Sequence, residues 1–274
     1  MSSAQIPVFV LNLRRSTSRR AHMREQLEAL GLDYEIIHEE PGERANLERI
    51  VAAAHDGPLD EADAAIVDRD SLLRSPGWLI PGAIGATLSH NAAYRRIIDR
   101  SLERALVLED DVTLSPSVGA LARDFRPFEE VTEDSLFLLL SLFKRRASID
   151  PTSTVTGHGV SAYRLDPSIE RVGSSSAYVI SCRTAARILE VNDPVRCVCD
   201  GWRDLGRAGA FNDMYVALPA PVRPSFAPSD LGYLRHGSRR ARVSHALNHT
   251  PVVRTAFRAR RWASWKWRSR YALR

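Results

Sequence analysis

ALVLEDD, residues 105–111, runs from four apolar residues straight into three carboxylates. A short continuous apolar run reads as a buried strand, and Glu109, Asp110 and Asp111 fall where that strand runs out. In open α/β sheets, ligand sites lie beyond the carboxyl ends of the strands. Two carboxylates about 4 Å apart repel by roughly 4 kcal/mol at an effective dielectric near 20, so a cation is needed nearby. A hard divalent ion, Mn²⁺ or Mg²⁺, prefers carboxylate oxygens and accepts further ligands from a diphosphate. If the strand continued, Glu109 and Asp111 would share a face; a turn after Glu109 would project Asp110 and Asp111 together. A solvated acidic turn is the ordinary alternative.

Around this stretch the pattern is that of an α/β chain. Ile6 to Leu13 (IPVFVLNL) reads as a buried strand. A helix follows, capped by Ser16, Thr17 or Ser18, with Met23, Leu27 and Leu30 as its apolar stripe and Gly31 as its stop. Tyr34 to His38 reads as a second strand, completing a unit that builds parallel sheets. A helix from about Ile84 to Arg100 delivers the chain to Ala105. Pro116 opens another helix, Ser135 to Leu142 reads as a central strand, and Ala177 to Ile180 is a strand leading into a helix from Arg183 to Val191. Residues 41–80 alternate acidic helical pieces with Pro and Gly breaks and say little.

The chain has 274 residues, enough for one large α/β domain, and its 44% apolar and 26% charged fractions exclude wholesale disorder and fibrous architectures. Its charge is unevenly spread. Between Arg235 and Arg274 there are twelve Lys or Arg residues and no acidic one, so a chain of net charge +5 is net negative over residues 1–234. The sequence therefore divides into a domain at 1–234 and a basic tail at 235–274. Cys182, Cys197 and Cys199 match neither a disulfide framework nor a four-ligand zinc site, which favours a reducing compartment. With no signal peptide legible and no apolar run near the roughly 20 residues that cross a bilayer, a cytoplasmic protein, soluble or peripheral, is expected.

Three blocks resemble glycosyltransferase family 25, the lipopolysaccharide-type glycosyltransferases that include the collagen galactosyltransferase domains. They are VFVLNLRRSTSRRAHMREQLEALGLDYE at 8–35, PGAIGATLSHNAAYRRIIDRSLERALVLEDDV at 81–112 and SSSAYVISCRTAARILE at 174–190, with Asp200 at a familiar distance beyond. Ala83 and Ala86 depart from the pattern, which commonly has Glu and Cys there. The resemblance implies a GT-A-like nucleotide-sugar domain with a mostly parallel central sheet flanked by helices. It also implies a UDP-sugar donor, UDP-galactose or another UDP-hexose, inversion at the anomeric carbon, and divalent-metal assistance at the donor site. The acceptor would be a glycan or glycolipid.

Individual residues take roles against that background. Asp110 and Asp111 are the metal ligands expected, with Glu109 beside the cofactor. Arg15 and Arg19 follow the first strand, where a guanidinium can hold diphosphate oxygens in bidentate fashion, although arginines at a helix start are often merely solvated. His90 shares a helix side with Ala86, Ala93 and Ile97, the place of a hydrogen-bonded core residue; with Ser89 it matches the family block, which implies substrate positioning. Gly82 and Gly85 flank a helix start and read first as a turn, secondly as room for the donor. An inverting transfer needs a base at the acceptor hydroxyl: Asp200 is first, Asp213 second.

The tail interleaves Trp262, Trp265, Trp267 and Tyr271 with basic residues, a composition that suits an anionic membrane surface. A nucleic-acid-binding reading rests on the same tail and lacks a groove-reading motif. A noncatalytic glycan-binding relative and a metal-dependent phosphoryl-transfer enzyme are further alternatives; no phosphate-binding Gly-x-x-x-x-Gly-Lys loop supports the last. Asp111→Asn is expected to abolish Mn²⁺-dependent hydrolysis or transfer of a UDP-sugar and to leave the circular dichroism spectrum unchanged. Full activity in that variant would remove the metal assignment.

Overall fold

The computed structural model describes residues 5–38, 44–75, 77–140, 142–143, 150–165 and 172–225. The basic tail and its aromatics lie outside these residues. The strands are β1 (Val8–Leu11), β2 (Glu35–Ile37), β3 (Arg104–Glu109), β4 (Val112–Leu114), β5 (Ser135–Leu138), β6 (Leu142–Phe143), β7 (Asp150–Gly157), β8 (Val160–Leu165), β9 (Val172–Gly173), β10 (Ala177–Ser181), β11 (Asp213–Leu218) and β12 (Val222–Pro224). The helices are α1 (Thr17–Ala29), α2 (Arg44–Asp56), α3 (Glu61–Ala64), α4 (Arg69–Arg74), α5 (Pro81–Asp99), α6 (Pro116–Arg123), α7 (Glu129–Thr132), α8 (Cys182–Asn192) and α9 (Trp202–Arg207).

Eight strands form the central sheet in the order β2-β1-β3-β10-β5-β11-β8-β7. Strand β1 is parallel to β2 and β3, and β11 is parallel to β5. The remaining pairings, β10 with β3 and β5 and β8 with β11 and β7, are antiparallel. The sheet is therefore mixed, and its parallel character is confined to β2-β1-β3 and β5-β11. Parallel neighbours need a crossover, usually a helix, to return the chain to the starting edge. Between β5 and β10 the described elements are strands only, and β10 starts from the edge where β5 ends.

Alternation along the strands divides the core into two layers. From β3, Ala105 and Val107 pack with Ala93 and Ile97 of α5 and with Ala185 and Ile188 of α8. Leu106 and Leu108 turn to the other face, against Met23 and Leu27 of α1 and Val118 and Leu121 of α6. A third cluster joins α2 and α4 to Ile84 of α5 through Leu47, Ile50 and Leu72. At about 25 cal/mol per Å² of apolar surface, the buried Val, Leu, Ile and Met side chains contribute roughly 1.5–3 kcal/mol each before entropy is counted. The strand expected over 135–142 stops at Leu138, where Leu139 and Leu140 both turn their amides to the Ala177 carbonyl.

Helix α1 begins where the serine and threonine run places it. Ser16 stands at the N-cap without a side-chain cap bond, while its carbonyl accepts from the Arg20 amide. Gly31 ends the helix at φ +63°, and its amide donates to the Glu28 carbonyl. A Cβ there would meet no atom within 4 Å, so backbone conformation alone favours glycine. Gly31→Ala is expected to cost about 1 kcal/mol of stability in urea denaturation; an unchanged midpoint would contradict this.

Candidate active site

The same alternation that sorts the core sorts the acids. Continuing from Ala105 and Val107, Glu109 is dealt to the α5 face of the sheet, and a turn at 110–111 sends Asp110 toward α1. Each carboxylate thus meets its own set of partners, and the triplet does not converge on one point.

On the α1 side, Asp110 is buried, with 6% of its surface exposed. The Asn12 side-chain amide donates to its Oδ2 at 2.6 Å, and the Arg19 guanidinium reaches its Oδ1 at 3.1 Å. Asn12 is itself clasped: its amide also reaches the Ser16 carbonyl at 3.2 Å, and its Oδ1 accepts from Arg20 at 3.3 Å. Burial lifts the Asp110 carboxyl above its ordinary value, and Glu109 adds to this, although Arg19 and Asn12 pull the other way. Burial therefore outweighs the hydrogen bonds and ion pair that Asn12 and Arg19 supply. Asp111 is partly exposed on the same turn, its carbonyl accepting from the Ser225 amide at 2.7 Å.

On the α5 side, Glu109 accepts from the Ser175 hydroxyl at 2.7 Å and the Ser176 hydroxyl at 3.0 Å, and His90 Nε2 lies 3.3 Å from its Oε1. His90 Nδ1 is 2.7 Å from the Tyr178 hydroxyl, which is 2.8 Å from that of Tyr94. Burial opposes charge on Glu109, yet the bonds from His90, Ser175 and Ser176 outweigh it and hold the carboxyl below its ordinary range. Burial also opposes charge on His90; Cys199 and Glu109 prevail and raise the imidazole to about 10. His90 thus bridges the Tyr178 hydroxyl and the Glu109 carboxylate.

Ligand-type atoms of His90, Glu109 and Cys199 lie within 4.8 Å of one another, a grouping of three among the described residues. It mixes nitrogen, oxygen and sulfur, a set suited to softer ions than Mn²⁺ or Mg²⁺. The Ser175 hydroxyl already stands between the Glu109 carboxylate and the Cys199 sulfur, at 2.7 and 3.2 Å. Asp110 and Asp111 supply hard oxygen instead, and Mg²⁺-type ions are commonly held by one or two carboxylates plus substrate phosphates, without a protein cage. Asp110 and Asp111 have the donor type such an ion takes.

The other expected residues divide by distance from this edge. Arg15 is exposed on the turn before α1, Gly82 lies in the first turn of α5, and the Ser89 hydroxyl donates to the Gly85 carbonyl at 3.0 Å. Asp200 is brought to the rim: the Ser174 amide points at its Oδ2 at 3.4 Å, immediately before the two serines that bind Glu109. Gly201 shapes that rim, because a Cβ there would come within 2.9 Å of the Val198 carbonyl. Asp213 is not brought in. It starts β11 beside Ser135, at the opposite edge of the sheet, and pairs with Arg164 at 2.7 Å.

Asn12, Ser175, Ser176, Tyr94, Tyr178 and Cys199 were not legible as site residues. The signals were slight: a polar Asn closing the apolar first strand, and a triple serine preceding the strand at Ala177.

The chain is similar to known proteins. The sequence profile of glycosyltransferase family 25 (LPS biosynthesis protein) matches residues 5–201, a span that includes α1, α5, β3 and β10. Procollagen galactosyltransferase 2 of Homo sapiens is 31% identical over 105 residues, which is 38% of this chain and 15% of that protein. The protein of the same name from Mus musculus gives the same identity and coverage.

The His90–Glu109 pair has a defined pH signature. A raised His pKa gives stability that is complete below the unfolded value of 6.5 and lost as pH climbs through about 10; a lowered Glu pKa gives stability present above 4.5 and lost on acidification. In EDTA, the stability gap between wild type and His90→Gln should be widest between those two unfolded values and narrow on either side. A gap constant from about pH 5 to pH 9 would contradict the charged pair.

Proposed function

Because the chain belongs to glycosyltransferase family 25, we propose that it transfers a hexose, most simply galactose, from a UDP-sugar to a glycan acceptor of the lipopolysaccharide or lipooligosaccharide core type. The family description names LPS biosynthesis, and the similar human and mouse proteins are named galactosyltransferases. The observation that carries the reading is Asp110, buried at the carboxyl edge of the sheet between Asn12 and Arg19. Such an edge, with helix α1 beginning beside it, is where a GT-A-like domain would receive a nucleotide diphosphate.

In this reading Asp110 and Asp111 would hold Mn²⁺ or Mg²⁺, which would supply charge stabilisation for a departing diphosphate. A guanidinium carries five N–H donors in a planar fork, which suits Arg19, beside Asp110, to phosphate oxygen; Arg15, on the turn before α1, is assigned the same task. Glu109 fixes Ser175 and Ser176 against α5, which keeps the segment leading to Asp200 in place. Asp200 takes the proton from the acceptor hydroxyl as its oxygen bonds the anomeric carbon from the face opposite UDP. The old carbon–oxygen bond breaks, its electron pair leaving on the diphosphate, so configuration inverts. Asp213, on the far edge, has no role here.

The tail would hold the enzyme at an anionic membrane, cytoplasmic side, where a lipid-linked acceptor is concentrated. Among the described residues no helix is long and apolar enough to cross a membrane.

A panel of UDP-galactose, UDP-glucose, UDP-N-acetylglucosamine and GDP-mannose, with and without Mn²⁺, tests the reading by thermal shift and nucleotide release. A UDP-sugar should stabilise the protein and be turned over only with metal. Asp200→Asn should lower turnover by about 10²–10⁴-fold while retaining the donor-induced shift. Wild-type turnover in Asp200→Asn would remove it as the base, and absence of any nucleotide-sugar binding would overturn the proposal.

A further inference from the structure

A cleft of about 430 Å³ opens beside Asp200, between α4, the end of α8 and α9. Its size falls within the roughly 300–1,000 Å³ of small-molecule sites. Trp78 stands at its wall, 61% exposed, the one large hydrophobic side chain so exposed among the described residues. Around it are two cations and two anions, Arg74, Arg196, Asp200 and Asp204. The guanidiniums are anchored, Arg74 to the Ser71 hydroxyl at 3.0 Å and Arg196 to the Val191 carbonyl at 3.0 Å.

This combination has one natural guest. A pyranose ring presents a face of C–H groups that lies flat on an indole, and a rim of hydroxyls that each donate and accept. Guanidinium supplies donors and carboxylate supplies acceptors, so a balanced pair of each matches hydroxyls far better than it matches an anion, which the two carboxylates would repel. Asp200 reaches both regions: it lines the cleft and meets the Ser174 amide, on the loop whose next two residues hold Glu109. Cys197 lines the cleft as well, and Cys199, two residues on, contacts Ser175.

We propose that this cleft is a saccharide-binding site for the acceptor, in which an uncharged pyranose stacks on Trp78 and is held at its rim by Arg74, Arg196 and Asp204, its reacting hydroxyl turned toward Asp200. The proposal rests on the glycosyltransferase reading for the word acceptor, and on the cleft alone for the word saccharide.

The test uses the full chain and three probes, methyl β-galactopyranoside, methyl β-glucopyranoside and methyl α-mannopyranoside, with inorganic phosphate as the anionic control. Saturation-transfer NMR should show at least one glycoside bound through its C–H face. Trp78→Ala, folded by circular dichroism, should weaken that binding by about tenfold or more, and Asp204→Asn should weaken it as well. The proposal is overturned if no glycoside binds, if Trp78→Ala binds as tightly as wild type, or if phosphate competes with the sugar for the cleft. UDP-sugar binding, measured separately on wild type, keeps the two readings apart. Loss of donor binding alone would remove the acceptor role and leave the saccharide site, whereas loss of glycoside binding alone would remove the site and leave the enzyme.

Discussion

Two adjacent carboxylates at the end of a buried strand cannot share one pocket without a large electrostatic cost, and the pleat resolves this by sending them to opposite faces. Glu109 goes to α5 and finds His90 with two serine hydroxyls; Asp110 goes toward α1 and finds Arg19 with Asn12. These bonds tie both helices to the sheet at its carboxyl edge. Glu109 is held below its ordinary value by its partners, whereas burial keeps Asp110 above it.

The mixed sheet serves this edge. Because β10 runs antiparallel between β3 and β5, its amino end, with Ser174, Ser175 and Ser176, sits beside the carboxyl end of β3. A parallel strand at the same position would have brought its carboxyl end there instead. The loop then connects to the Cys199–Gly201 segment through Ser175 and Ser174, so the acidic edge and the cleft at Trp78 belong to one continuous rim.

Much of the framework was legible from local pattern. The apolar runs at Ile6 and Ala105, the helix stop at Gly31 and the strand at Ala177 all lie where period and punctuation place them, because each depends on neighbours in sequence. The direction of β10 was not legible, since a strand's apolar pattern carries no record of which way its neighbour runs. Nor was the place of Asp213, the second candidate base, legible: parallel pairing with β5 puts it at the far edge. His90 was legible as a buried helical histidine, but its partners come from β3 and β10, 19 and 88 residues away. Asn12 and Ser175 are polar residues of ordinary appearance whose role exists only once three strands and two helices have met. The composition of the tail is clear; its place relative to the domain lies outside the described residues.

The central claim is that the turn after β3 receives a divalent ion together with a nucleotide diphosphate. Paramagnetic broadening by Mn²⁺ in ¹⁵N-labelled protein, recorded with and without UDP, tests it most directly. Amide signals of Asn12, Asp110, Asp111 and the first turn of α1 should vanish at substoichiometric Mn²⁺ when UDP is present and persist when it is absent. Broadening centred instead on Asp213 and Arg164, or spread over the surface regardless of UDP, would contradict the account.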